Sequence, residues 1–229
     1  MNKLHNLKHN VNNVLTFYTK TNKVYGRGNY YLYCDYPNVE ERLAYIIHKI
    51  LGPLKRHPEI FIDKTVLDFG CATGEHSYFL SHYATTVDCF DPQILHYNWL
   101  NALFSTSNSI KVLKTEEDCA IMKYDTIILS GVISCIYDYG PWLSKLIQIL
   151  NFKYLVLISV VDEDFSNKPI GRMGFRQTRL YDNRVYDNTV VETEILKATS
   201  NLTLFDSYHY YVSVGKTHPH KKIVHFYKK

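Results

Sequence analysis

The stretch Val66-Leu67-Asp68-Phe69-Gly70-Cys71-Ala72-Thr73-Gly74-Glu75 limits the fold more than any other part of the chain. Val66, Leu67 and Phe69 are strand formers around a single acid. Gly70 and Gly74 bracket small residues, a pattern that lets a ligand approach the backbone. From Glu75 onward, Tyr78, Phe79 and Tyr83 recur at helical spacing. A second strand, Thr86 to Phe90, then ends in Asp91. Asp91 lies about twenty residues past the glycine turn, the usual distance for an acid that grips a ribose. These residues predict a βαβ unit that binds a nucleoside. The spacing G-x-G-x-x-G is missing, which removes nicotinamide and flavin dinucleotides, and the phosphate-holding pattern G-x-x-x-x-G-K-[ST] is absent too, since Gly215-Lys216-Thr217 has Tyr210 where its first glycine would stand.

The order strand, acid, x-Gly-x-x-x-Gly, helix, strand, acid, Pro resembles the S-adenosylmethionine site of the class I methyltransferases, over residues 60–229. Ala72 stands where the family's Gly-x-Gly-x-Gly pattern has its middle glycine. The resemblance implies an α/β fold: a doubly wound, Rossmann-like, mostly parallel sheet of seven strands with the last one antiparallel. It implies S-adenosyl-L-methionine as cofactor, leaving as S-adenosyl-L-homocysteine. It places Asp68, Gly70, Cys71, Ala72 and Gly74 around the cofactor, with Asp91 and Pro92 after the second strand. An acid near Glu116-Glu117-Asp118 would accept from the adenine amino group, Asp118 first and Glu117 second. Ser130, Gly131 and Val132, after the fourth strand, would face the methyl group.

Length and composition fit one domain over residues 1–229, with residues 1–36 as an N-terminal extension or lid and 162–188 as a substrate-side insertion. Apolar residues make up 46%, enough for one large core, and the formal charge of +4 is a mild bias toward anionic partners. The 20 tyrosines offer stacking faces for a base or sugar. The five cysteines form no C-x-x-C and read as reduced core thiols of a cytoplasmic protein, with no metal site. No signal peptide or membrane span is visible. The chain reads as a monomer or homodimer.

Along the chain, a short helix is expected around Val11–Tyr18. Tyr25-Gly26-Arg27-Gly28-Asn29-Tyr30 follows, a basic loop in which Arg27 and Tyr30 could close over a cofactor carboxylate or hold a phosphate. A helix capped by Asn38 should bury Val39, Leu43, Ile46, Ile47 and Ile50 and end at Gly52-Pro53. Further helices are expected from Pro92–Leu95 to about Phe104, around Trp142 to Ile149, and from a cap within Asp187–Glu192 to about Thr199. Strands are expected at Ile110–Leu113, Tyr124–Ser130, Tyr154–Val161, Leu202–Val214 and Ile223–Tyr227. The last two form a closing hairpin. The long connection 162–188 interleaves Arg172, Arg176, Arg179 and Arg184 with aromatic residues, a combination suited to a nucleotide or RNA.

The segment after the fourth strand narrows the chemistry. Ribose methyltransferases need an Asp there, and exocyclic-amine methyltransferases an Asn/Asp-Pro-Pro-Tyr/Phe signature; Ser130-Gly131 matches neither. A ring nitrogen such as guanine N7 carries its own lone pair and needs no catalytic base. Ser130 to Tyr137 resembles a degraded form of the corresponding segment in mRNA cap guanine-N7 methyltransferases, and the tyrosine-rich chain is similar in style to nidovirus capping domains. The expectation is therefore methyl transfer to the guanine N7 of an RNA cap with no catalytic residue. Tyr137 and Tyr139 would stack on the guanine, Glu163 would meet its edge, and Arg27, Arg172, Arg176 and Arg179 would meet the triphosphate. The competing expectation is a small-molecule O- or N-methyltransferase with His76, His96 or His209 as base. The third is a non-catalytic relative that binds RNA or protein.

Overall fold

Strand β1 (Thr65–Phe69) is almost fully buried, and so it is an inner strand rather than an edge. The computed structural model describes residues 10, 12–13, 16–17, 39–136, 138–161, 190–212 and 220–229. Within it, residues 1–127 and 128–229 form two compact units. The seven strands, β1, β2 (Thr86–Phe90), β3 (Ile110–Leu113), β4 (Lys123–Ser130), β5 (Asn151–Val160), β6 (Thr203–Val212) and β7 (His220–Lys228), have the order β3-β2-β1-β4-β5-β7-β6.

The first unit carries β1, helix α2 (Glu75–Leu80), β2 (Thr86–Phe90), α3 (Ile94–Phe104), β3 (Ile110–Leu113) and α4 (Glu116–Ala120), preceded by helix α1 (Val39–Arg56). Strands β1 and β2 pair in parallel from Thr65↔Thr86 to Phe69↔Phe90, and β2 and β3 from Val87↔Ile110 to Phe90↔Leu113. Parallel pairing needs a helical crossover, which α2 and α3 supply. Cys71, Cys89, Leu100, Phe104 and Ile110 form a buried cluster, with Phe17 and Tyr78 packed against it. The Phe17 and Tyr78 rings stack at 4.1 Å, and the described residues between Asn10 and Phe17 are helical, as expected.

Helix α1 corrects one expectation. It does not stop at Gly52-Pro53 but runs on to Arg56, with Pro53 inside it. Pro53 gives no N–H to the helix ladder. Leu54 nonetheless reaches full burial in that last turn, and the carbonyl of Pro53 accepts from the His57 N–H at 2.9 Å. Ile47 and Ile50 are buried as expected, joined by Leu51.

Strand β4 (Lys123–Ser130) runs into a 3-10 turn at Ile133–Cys135. The second unit continues with α5 (Tyr139–Ile149), β5 (Asn151–Val160), α6 (Glu192–Ala198), β6 (Thr203–Val212) and β7 (His220–Lys228). Strand β5 starts three residues earlier than the sequence suggested. Strand β7 pairs antiparallel with both β5 and β6, with a bulge in β6 between Leu204 and Asp206. This hairpin is the expected antiparallel end of the sheet. No helix among the described residues is long and apolar enough to cross a membrane.

Candidate functional site

The glycine turn between β1 and α2 is built by backbone conformation. Gly70 has φ +76° and Gly74 φ +83°, left-handed values that cost a residue with a Cβ about 1–2 kcal/mol. Ala72, at the position of the missing middle glycine, also sits at φ +50°. The turn is stitched to the end of β2. The Phe90 carbonyl accepts from the N–H groups of Gly70 (2.7 Å) and Cys71 (3.0 Å). The Ala72 N–H donates to Asp91 Oδ2 at 3.0 Å, and the Gly74 N–H to the Cys71 carbonyl at 2.9 Å. Phosphate-binding loops aim free N–H groups at an anion. Here four of the turn's N–H groups are already spent, so the turn suits a cofactor that brings no phosphate.

The charge of the turn points the same way. Asp68 is 1% exposed and accepts from the Ser77 hydroxyl at 2.6 Å. Burial raises its pKa to about 7; the Ser77 bond opposes this, and the nearby Glu75 and Asp91 add to it. Glu75 is itself buried and accepts from Thr73 Oγ1 at 2.7 Å. Three carboxyl groups around one turn favour a cationic ligand, and S-adenosylmethionine carries both a sulfonium and an ammonium. Burial pushes the neighbouring Cys71 thiol up, and beside Cys89 it stays protonated.

Asp91 stands at the end of β2, 8% exposed. Its Oδ1 accepts from the Gln93 N–H at 3.0 Å, and its Oδ2 from Ala72. A carboxylate has about four lone-pair sites, so one on each oxygen remains for a ribose hydroxyl. Pro92 follows and leads into α3.

Two expectations in this unit change. Gly74 was to open the turn to a ligand. A Cβ there would instead lie 2.7 Å from Leu100 Cδ2 and 2.8 Å from Phe104 Cε2, so Gly74 lets α3 pack against the turn. Asp118 was the first choice for adenine. Its Oδ2 accepts from the N–H groups of Thr115 (3.0 Å) and Lys114 (3.2 Å), while its own N–H donates to Thr115 Oγ1 at 3.1 Å. That is a capping box on α4, and these bonds hold the Asp118 carboxyl below its ordinary pKa. The pattern Thr115-x-x-Asp118 was legible in the sequence. Glu117, in the same short helix, has no such duty among the bonds described.

The second unit supplies the segment after β4. The Gly131 N–H donates to the Ile158 carbonyl at 2.8 Å, and its φ is +73°. Its own carbonyl accepts from Ser134 Oγ (3.1 Å) and Cys135 Sγ (3.4 Å). A Cβ on Gly131 would meet nothing within 4 Å. The Ser130 hydroxyl is shielded from solvent yet has no hydrogen-bond partner among the described residues, and Val132 leads into the 3-10 turn. An unpaired buried hydroxyl is costly, and a ligand bond would relieve it.

Tyr139 is corrected as a stacking residue. It is 5% exposed, its hydroxyl accepts from the Val191 N–H at 2.9 Å, and burial pushes its pKa up to about 12. It ties α5 to the start of α6. The sequence reading also missed a polar network in this unit. Glu192 accepts from His225 Nε2 at 2.9 Å and lies 3.3 Å from His209 Nε2, while Tyr227 sits 2.8 Å from His225 Nδ1. His209 is thereby engaged by a carboxylate. His76 is buried in α2. Arg27, Tyr30, Tyr137, Glu163, Arg172, Arg176 and Arg179 lie outside the described residues, as do most of 1–36 and all of 162–188. Among the described residues, no group of three or more His, Cys, Asp or Glu could hold a metal ion.

Residues 38–220 match a family model described as a methyltransferase domain. No curated protein matches the chain in sequence. Solved structures share its fold at low identity. Magnesium protoporphyrin IX methyltransferase from Synechocystis PCC 6803, with S-adenosylmethionine bound, is 15% identical, with 94% of this chain and 97% of that one covered and a TM-score of 0.58. TehB from Haemophilus influenzae is 17% identical, covering 88% and 66%, with a TM-score of 0.58. PH1948 of Pyrococcus horikoshii, provisionally named an RNA methyltransferase, is 14% identical, covering 85% and 87%, with a TM-score of 0.52.

Proposed function

The chain belongs to the methyltransferase-domain family, and from that premise we propose that it carries a methyl group from S-adenosylmethionine to guanine N7 of an RNA 5′ cap. The donor reading is supported by a turn whose N–H groups are spent and whose surroundings are acidic. When bound, S-adenosylmethionine supplies an activated methyl on a sulfonium and leaves as S-adenosylhomocysteine. In this reading Asp91 holds the ribose hydroxyls, the acids of Asp68 and Glu75 favour the cationic end, and Glu117 rather than Asp118 meets the adenine. Ser130, Gly131 and Val132 border the methyl.

One observation carries the choice of acceptor. Between Ser130 and Ile136 there is no carboxylate, imidazole or amine, and the Cys135 thiol is occupied with the Gly131 carbonyl. A hydroxyl or ammonium acceptor would need a base to remove its proton. A guanine N7 needs positioning and exclusion of water, which is what this segment can supply. Arg27, Arg172, Arg176 and Arg179 would meet the triphosphate, Tyr30 and Tyr137 would stack, and Glu163 would meet the guanine edge. Residues 1–36 and 162–188 would form the lid and the substrate wall of a single domain.

The test is methyl transfer to GpppA-capped RNA, uncapped RNA and a panel of small alcohols and amines. The reading expects methylation of capped RNA only, with the methyl on N7 after digestion and no titrating base in the pH–rate profile. Inactivity on both RNAs with transfer to a small acceptor would overturn the acceptor and leave the donor standing.

A further inference from the structure

We propose that His96 is a second ribose-binding residue, its Nδ1 and Asp91 Oδ1 sharing one cofactor hydroxyl. The inference rests on the methyltransferase reading above and adds a contact to it. The sequence Asp91-Pro92-Gln93-Ile94-Leu95-His96 turns into α3 at Ile94, and the first turn of that helix carries His96 back over Asp91. His96 Nδ1 lies 2.8 Å from Asp91 Oδ1, with the two side chains 13% and 8% exposed. That is an ion-pair separation, yet the ring is turned off the line of a hydrogen bond. The nitrogen is shielded from solvent and has no hydrogen-bond partner among the described residues.

The lone pairs of Asp91 explain why this matters. Oδ1 already accepts from the Gln93 N–H and Oδ2 from the Ala72 N–H. One site on Oδ1 remains, and it faces a buried nitrogen that lies at ion-pair distance but makes no hydrogen bond among the described residues. A hydroxyl group is both donor and acceptor. Placed within reach of both atoms, it donates to Oδ1 and accepts from an Nδ1–H, satisfying the two at once. A buried nitrogen left unpaired is costly, so the gain on binding is larger than that of an exposed contact.

Calorimetric titration of the full chain with S-adenosylhomocysteine, and with its 2′-deoxy and 3′-deoxy analogues, tests this on wild type, His96→Ala and His96→Asn. The expected result is about tenfold weaker binding of S-adenosylhomocysteine by His96→Ala. For the analogue lacking the shared hydroxyl, wild type and His96→Ala should bind equally. His96→Asn places an amide near the position of Nδ1 and should recover most of the loss. Equal loss on all three ligands would assign His96 a structural role and overturn the proposal, as would unchanged affinity in His96→Ala. A wild type that binds no S-adenosylhomocysteine would remove the methyltransferase reading itself. Wild-type binding with a silent His96→Ala would leave that reading intact and remove His96 alone.

Discussion

Among the described residues two glycine turns follow strands, one after β1 and one after β4, and they are held in different ways. The turn after β1 is fixed from all sides: Gly74 by Leu100 and Phe104, Ala72 by Asp91, Gly70 and Cys71 by the Phe90 carbonyl. The turn after β4 is held by hydrogen bonds to Ile158, Ser134 and Cys135, with Gly131 at φ +73° and open space where a Cβ would stand. A turn closed by packing has one shape and suits a constant ligand. A turn open on its side-chain face can vary with the acceptor. In the proposed reading the closed turn and Asp91 hold the adenosine part of the donor, while the open turn borders its methyl, where the acceptor arrives.

The largest expected effect breaks the closed turn. Gly74→Ala adds a Cβ to a left-handed residue and drives it into Leu100 and Phe104, and it should cost roughly 2–4 kcal/mol of stability. Urea unfolding measures it. A loss under about 1 kcal/mol would mean that α3 does not hold the turn.

The next effect is one of pH. Asp68 has a folded pKa of about 7 against 3.8 for the ordinary carboxyl, because burial penalises its charge. The folded state then binds the extra proton, so stability is highest at low pH and falls as pH rises from about 4 to about 7, by up to about 1.4 kcal/mol per unit. Asp68→Asn keeps an acceptor for Ser77 and removes the titration. Its stability relative to wild type should rise between pH 5 and pH 8. The second unit has the opposite sign. Burial holds His225 below its ordinary 6.5, with Glu192 opposing. The unfolded state therefore binds more protons below that pH, and this contribution is lost on acidification. A flat difference between Asp68→Asn and wild type would show that Asp68 is not proton-linked to folding.

The smallest effect sharpens the open turn. Gly131→Ala carries only the left-handed penalty, about 1 kcal/mol, because nothing crowds the new methyl. Melting and activity measured together would show a small loss of the first and a larger loss of the second. Equal proportional loss of both would argue that Gly131 is a backbone element and nothing more.

What was readable in the sequence followed short-range rules. Strand, turn and helix from Val66 to Leu80 show in alternation and spacing, as does the acid at Asp91, and the closing hairpin shows in two long β-rich runs. The partners of Gly74 were hidden, because Leu100 and Phe104 come from the next helix and a glycine motif reads the same whether a ligand or a side chain fills the space. Tyr139 was expected to stack on the guanine, but the Val191 N–H that claims its hydroxyl lies far along the chain. Pro53 was read as a stop because the burial of Leu54 cannot be seen locally. The Glu192, His209 and His225 network joins a helix to two strands through residues with no common motif.

The central claim is that the closed turn and Asp91 hold the adenosine part of the methyl donor. Titration calorimetry of wild type and Asp91→Ala with S-adenosylhomocysteine tests it directly. The account predicts one site per wild-type chain and binding weaker by about a hundredfold in Asp91→Ala, since a charged acceptor is lost. Equal affinity in the two proteins, or no binding by wild type, would contradict it.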